Sequence, residues 1–494
     1  MSFREPPTIA TTSGGHRTNR LGWLGLASLI LAGLAFRLLL MPVEAFVYDR
    51  LAFTEWMIAL QTHPLGAFYH LPLHIPADHL PGTLWLLTGL GTLAKWMGVA
   101  GDGGIVALTP QEAQPFLKAL PILADLVNGV VLFAIVRRIA PDRPRAALLA
   151  AAGWIFAPGV VFVSAAWGQW DSVSLVFVLA AILAAVALPG KRAAVAVPLL
   201  LALAMLMKPQ FAILAPILGL FVLIDAGLPG PNRCLPRSRA EGWSMALALW
   251  RGAGMRLLLG GVIAVAIITL AGWPFRVGLL PVPFDGWMTY GERLSFAANR
   301  FQGTTYGAVS LWIIPLGTRH APHDTELIRG SLTAAQLGWG LVGASTLAGL
   351  VIAHRHRWNA VGLVAGCAVT YLGFVLFATR MHERYLLPAI ALTLLLAGVR
   401  PAAGTILPAL VLSLAYFASI YLSYTSYAVD EPLPLRGWRT GTMLSALGVI
   451  GVAAFAVLLV ETWQAAGRPR PSRQTRPAHP VDRVASSSTV NAGD

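Results

Sequence analysis

Along its length the chain alternates apolar runs of about 16 to 24 residues with shorter polar connections. A helix needs roughly 20 apolar residues to cross about 30 Å of hydrocarbon, and barrel strands would be half that length. Twelve runs fit as crossings, at about 21–42, 116–138, 145–166, 171–189, 193–208, 209–228, 256–275, 331–353, 358–378, 384–399, 403–424 and 440–462. The pattern predicts an all-α, polytopic membrane bundle of about 12 transmembrane helices, with interfacial helices in its first outer loop.

The polar connections orient these runs, because cytoplasmic connections carry the excess of Lys and Arg. The strongest basic connections are Arg137/Arg138/Arg143/Arg145, Lys191/Arg192, Arg233 to Arg256, His354/Arg355/Arg357, and the tail from Arg468 to Arg483. If every apolar run before Arg137 crossed, three crossings would put the first of them outside. Leu80–Met97 contains Pro81-Gly82 and Lys95 and precedes a Gly-rich acidic loop, so it is expected to lie in the outer headgroup region as an amphipathic helix. Both termini then lie inside, and two long outer loops remain, about 43–115 and 276–330. Residues 21–463 read as one transmembrane domain, between disordered cytoplasmic segments at 1–20 and 464–494. The first run follows Arg4, Arg17 and Arg20 in the manner of a signal peptide. It lacks a following small-residue cleavage site and contains Arg37, which favours a retained span.

Composition agrees with this class: of 494 residues 56% are hydrophobic and 12% charged, against about 25% charged in soluble proteins. The net charge of +14 raises the question of nucleic acid, but the arginines sit in short connections and tails rather than on one soluble face. Topology accounts for them, and no nucleic-acid partner is expected. Cys234 and Cys367 are too few and too far apart for a disulfide framework or a metal knuckle.

This topology puts the chemically interesting groups on one outer face, and the span centres are nearly free of charge. Ionisable groups cost roughly 2.5 to 3.5 kcal/mol each at the bilayer centre, so those retained near a span usually serve a pathway or a reaction. Asp49, just beyond the first span, is either a general base or an acid at a helix start. Asp78 would cap the second interfacial helix, or with a second carboxylate hold a metal or orient an acceptor hydroxyl. In Trp167-Gly168-Gln169-Trp170-Asp171-Ser172 the tryptophans suit interface anchors, whereas Asp171, opening a span after a tight Gly168-Gln169 return, favours function over capping. Lys208, between two spans, either snorkels or binds phosphate.

In Arg380-Met381-His382-Glu383-Arg384 the two guanidinium groups, four apart, are expected on one helix face, suited to a phosphate or pyrophosphate. His382 and Glu383 would bind a metal or order the arginines. A His-x-x-x-His spacing is absent here, so a zinc hydrolase is not expected. The outer stretch from Asn299 through Gln302 to Tyr306 mixes amide, hydroxyl and aromatic groups, which suit sugar hydroxyls and ring faces as well as an ordinary surface loop.

Four segments, in order, carry a resemblance: Asp49 with Phe53, Trp56 and Phe68-Tyr69; Asp78-His79-Leu80-Pro81-Gly82; Trp167 to Ser172 followed by Lys208-Pro209-Gln210; and Arg380 to Pro388. Together, over roughly residues 21–425, they resemble the GT-C superfamily of polytopic glycosyltransferases, and most closely the bacterial proteins related to the second GPI mannosyltransferase. The resemblance implies transfer of a hexose, mannose in the nearest relatives, from a polyprenyl-phosphate donor to a lipid or glycan acceptor hydroxyl on the extracytoplasmic face, with inversion. It points to Asp49 as base, with Asp78 and Asp171 completing a catalytic set. Lys208, Arg380, His382 and Arg384 are the expected donor-phosphate ligands, and Trp167, Gln169, Asn299, Gln302 and Glu383 the expected sugar or acceptor contacts. The first-loop motif departs from the family's paired acids, since Arg50 follows Asp49, which leaves a divalent cation an open matter. The competing readings are a flippase of lipid-linked sugars, which needs polar groups along the membrane depth, and a ligase or polymerase of pyrophosphate-linked oligosaccharides.

Overall fold

The computed structural model describes residues 13–99, 101–227, 244, 247, 249–316, 322–428 and 438–467. Among them, nine helices are long and apolar enough to cross a membrane, or ten when Pro144–Ile155 and Pro158–Trp167, bent by 46° at their junction, count as one broken span. The chain is thus a multi-pass, all-α membrane protein. The remaining two expected crossings are helices of 17 and 13 residues, Asp171–Ala187 and Leu387–Val399. At 1.5 Å per residue the latter covers only about 20 Å. It is buried at nearly every position, so it runs through the bundle core rather than along lipid. Non-helical backbone beside such a helix is tolerated where protein encloses it, and Met381, Glu383 and Leu386, just ahead of it, are buried.

The helices used below are α1 (Ser13–Leu40), α2 (Val47–Thr62), α3 (Pro81–Trp96), α4 (Pro110–Ile139), α5 (Pro144–Ile155), α6 (Pro158–Val161), α7 (Asp171–Ala187) and α8 (Gly190–Met207). The first helix begins at Ser13, within the segment expected to be disordered, and residues 1–12 lie outside the described set, as do Cys234, most of the Arg233–Arg256 connection and the tail beyond 467. Outer loop 43–115 folds into α2 and α3, and α3, at 16 residues, stays below spanning length. These two helices share an apolar cluster of their own, in which Phe53, Trp56, Leu84 and Leu87 pack with Trp170 and Phe275. Two-residue strand pairings tie down the second outer loop. Val277–Gly278 runs parallel to Met288–Thr289, and Thr305–Tyr306 parallel to Met381–His382.

Proline breaks shape the end of the bundle where the loops converge. Pro121, inside α4, has no N–H to offer the carbonyl one turn back. That carbonyl, Leu117 O, accepts instead from the Trp170 indole at 2.9 Å, while Ser172 Oγ donates to Pro121 O at 3.2 Å. At the bend between α5 and α6, Ile155 O accepts from Arg37 Nη1 at 2.8 Å. The same guanidinium pairs with Asp125 through Nε at 3.1 Å and Nη2 at 2.9 Å, both side chains fully buried. Two spans therefore carry a charge each, contrary to the clean centres expected from sequence, and the charges neutralise one another. Removing one member strands the other in an apolar interior, which costs about 3 to 5 kcal/mol, whereas replacing both by apolar groups of similar volume is far milder. Thermal unfolding of the solubilised protein should accordingly show Asp125→Ala and Arg37→Ala each strongly destabilised, and Arg37→Met/Asp125→Leu less so than either. Single variants as stable as the parent would refute this account of the bend.

Candidate active site

The broken span sets the site. Its second half continues from α6 as a wide turn through Trp167 and ends on Gly168 at φ +87°. A side chain is strained in that region, and a Cβ there would lie 3.4 Å from Lys118 Cγ. The turn delivers Trp167 to Asp49, and Asp171 to Lys208 and Arg384. Trp167 packs against Phe46, ring centroids 4.8 Å apart, and its indole donates to Asp49 Oδ2 at 2.7 Å. Asp49 stands in the first turn of α2, where an acid also meets the positive end of the helix dipole. Its other oxygen accepts no hydrogen bond among the described residues.

Asp171 opens α7 without capping it, as the N-cap is Trp170. Its side chain is 1% exposed; Oδ1 accepts from Lys208 Nζ, and Oδ2 lies 3.7 Å from Arg384 Nε without a hydrogen-bond partner. Lys208 ends α8 and also sits over the Tyr385 ring, 5.1 Å from its centroid. Arg384 is the convergence point. Its guanidinium faces Asp171 on one side and Glu383, 3.5 Å from Nη1, on the other. Burial lowers its pKa, and the carboxylates of Asp49 and Asp171 more than offset this, so that it is raised and the group stays charged. Yet the guanidinium makes no hydrogen bond to any described residue, although its side chain is only 17% exposed. Such a donor set is costly to bury unless an acceptor meets it.

Asp78 is more exposed than Asp171, at 23% against 1%. It does not cap α3, whose N-cap is Leu80 with no side-chain bond; it lies 3.7 Å from Arg300 Nη1 and 3.9 Å from His79 Nε2. His79 is packed edge-on against Phe53 and Trp56. Burial lowers its pKa against the pull of Asp78, and Lys208 and Arg384 lower it further, so its ring is neutral at neutral pH. Gln169 is buried at 1% exposure beside Trp167 and Trp170.

The structure corrects one expectation and shows where four of the expected side chains lie. Arg380 and Arg384 do not share a helix face, because Arg380 has φ +62°, Met381–His382 is extended, and Glu383–Leu386 is a single 3₁₀ turn. Arg380 turns to Asp324, donating from Nε at 2.8 Å and Nη2 at 3.0 Å, and to Ala298 O at 2.9 Å, so these donors hold the outer loop. His382 is wedged between Tyr306, stacked at 4.9 Å, and Phe301, edge-on at 4.7 Å. Burial and then Arg384 hold its pKa well below the usual imidazole range, so it brings no positive charge to an anion. Gln302 is engaged by His323 in the outer loop, and Asn299 is exposed on a neighbouring helix, so neither joins the buried set.

Sequence reasoning gave no site role to Arg300 or His79 and did not pair Arg37 with Asp125. Arg300 carried a signal, being a cation on the side where positive charge is disfavoured. Among the described residues no three His, Cys, Asp or Glu side chains gather as a metal-binding group, so no step below is routed through a cation.

No protein-family model matches the sequence, and no curated protein does. Solved structures to which the chain is similar include the archaeal oligosaccharyltransferase AglB from Archaeoglobus fulgidus, in complex with an inhibitory peptide and a dolichol-phosphate. That likeness has 13% identity and a TM-score of 0.39, covering 91% of this chain and 56% of that one. ArnT from Cupriavidus metallidurans, bound to undecaprenyl phosphate, shares 13% identity at a TM-score of 0.42, over 90% of this chain and 78% of that one. The chain thus spans little more than half the length of the archaeal enzyme.

Proposed function

We propose that this chain is a membrane glycosyltransferase of the GT-C type, which moves a hexose from a polyprenyl-phosphate donor to an acceptor hydroxyl on the extracytoplasmic face, with inversion. The observation that carries the reading is the Arg384 guanidinium, charged and largely enclosed, which lies between Asp49, Asp171 and Glu383 and donates no hydrogen bond to a described residue. A phosphate oxygen would accept the donors that this group leaves open, through the short charge-assisted bonds that guanidinium forms with phosphate. The order of the four motif segments along the sequence supports the same conclusion, and mannose as the sugar rests on that resemblance.

The chemistry follows from where charge develops. When the bond from the anomeric carbon to the phosphate oxygen breaks, the electron pair goes to the departing polyprenyl phosphate. Arg384, with Lys208 behind Asp171, is already oriented to receive that charge, so it stabilises the transition state more than the ground state. Asp49, fixed by the Trp167 indole through one oxygen, takes the acceptor proton with the other. Attack opposite the phosphate forms the new glycosidic bond in one displacement and inverts the anomeric centre, with no sugar bound covalently to the protein. A flippase would need polar groups spread along the depth. The Arg37–Asp125 pair is one such group, but it is consumed by its own partners and by Ile155 O.

The test is a mass-spectrometric comparison of glycolipids and glycoproteins from cells with and without the gene, together with release of polyprenyl phosphate by the purified protein from polyprenyl-phosphate mannose. The expected result is one class of glycan lacking a single hexose, and release that depends on the extracted acceptor. Identical glycan profiles with no release from any hexose donor would overturn the proposal.

A further inference from the structure

We infer that an open groove on the Tyr290–Arg300 helix, here α9, is a saccharide-binding subsite; on the function proposed above it receives the sugar of the acceptor. The groove has a volume of about 560 Å³ and is lined by Pro76, Glu292, Ser295, Phe296, Asn299 and Arg300. Small-molecule sites run from roughly 300 to 1,000 Å³, so one or two sugar rings fit. Glu292, Ser295, Phe296 and Asn299 follow the i, i+3, i+4, i+7 spacing that makes one continuous stripe on a helix.

Hydrogen bonds from the side chains of α9 to neighbouring segments fix this stripe in place. Tyr290 donates to Ile268 O at 2.8 Å, Arg293 donates to Ala77 O, and Arg300 donates to Pro76 O at 2.6 Å and to the Tyr48 hydroxyl. Two arginine clasps thus hold the helix against the backbone just ahead of Asp78. The Arg293 guanidinium lies 4.0 Å from the Tyr69 ring centre and 4.8 Å from that of Phe296, so it backs the Phe296 ring, which is still 42% exposed toward the groove. An aromatic ring held in place and left exposed offers its face to an apolar partner.

The polar atoms of the groove suit a neutral polyol. Glu292 accepts both its capping bonds from Thr289 through Oε2, leaving Oε1 for a ligand. Asn299 Nδ2 donates to Ser295 Oγ at 3.2 Å, leaving the amide oxygen to accept. Carboxylate, amide and guanidinium are planar groups that meet adjacent hydroxyls in pairs, while the C–H face of a sugar ring packs on an aromatic ring. One acid and one base line the groove, so it offers no net charge to an anion. An acyl chain would leave these polar atoms unsatisfied. At its inner end Arg300 reaches toward Asp78, at 3.7 Å, and Tyr48, the residue before Asp49. A sugar held here would present a hydroxyl to the same space that the acids line.

Saturation-transfer NMR on the full chain in nanodiscs, with methyl α-mannoside, α-glucoside and α-galactoside as probes, tests this. At least one probe should receive saturation, and Phe296→Ala should cut it about three- to tenfold, as expected from loss of an aromatic contact. Asn299→Ala should lower it too, and Phe296→Tyr should retain it. Retention of added undecaprenyl phosphate by the same variants, read by native mass spectrometry, should match the parent and shows that the fold persists. No saturation of any probe, or equal saturation in Phe296→Ala, overturns the inference while leaving the donor reading standing. Undecaprenyl phosphate bound no better by the parent than by Arg384→Ala, with saccharide binding intact, would instead count against the donor reading.

Discussion

Asp49→Asn is expected to slow sugar transfer by about 10² to 10⁴-fold, the usual contribution of a positioned general base. The substitution is chosen for what it preserves. The Asn carbonyl oxygen still accepts the Trp167 indole hydrogen bond, which in the parent is 2.7 Å long, so the α2 turn and the Phe46–Trp167 contact stay in place. What is lost is the capacity to take a proton. Donor binding should change little, because the phosphate meets cations rather than Asp49. Single-turnover transfer at several pH values reads the slowing directly, and an Asn variant within about threefold of the parent at every pH would remove Asp49 from the base role.

Arg384→Ala is expected to lower kcat by about 10² to 10³-fold, the scale seen when a preoriented donor is removed from a developing negative charge. The loss should be deeper than that of a simple binding contact, since the guanidinium has no hydrogen bonds to described residues to reassign. Because removing it also leaves Asp49, Asp171 and Glu383 without their shared cation, Arg384→Lys is the needed companion. It keeps the charge and the fold but not the planar fork, and should recover donor affinity before it recovers kcat. Kinetics with varied donor concentration separates the two. Full kcat in the alanine variant would mean that the leaving phosphate is stabilised elsewhere.

Much of the scaffold was legible because lipid imposes a length. The span expected at 358–378 is the helix Ala360–Phe377, and that expected at 209–228 fills the apolar stretch Pro209–Ala226. The rule fails at Leu387–Val399, a helix surrounded by protein, where bilayer thickness no longer sets the length. In the site, Asp49, Asp171, Lys208, Glu383 and Arg384 were legible as polar groups at span edges, and the fold brings them together. The helix face expected for Arg380 and Arg384 was misread because nothing local announces that Met381–His382 extends along Thr305–Tyr306, which turns Arg380 toward Asp324. The Arg37–Asp125 pair went unnoticed because its members lie 88 residues apart. Two opposite charges buried in two apolar spans were nevertheless a hint, since each is tolerable only with the other.

The central claim is that a lipid phosphate is held by Arg384 inside the space walled by Asp49 and Asp171. An electron-cryomicroscopy map of the nanodisc-embedded chain with undecaprenyl phosphate tests it most directly. The account predicts phosphate density within hydrogen-bonding reach of the Arg384 guanidinium, with the isoprenoid tail leaving between helices. Phosphate density at another site, with Arg384 bonded to a protein group instead, would contradict it.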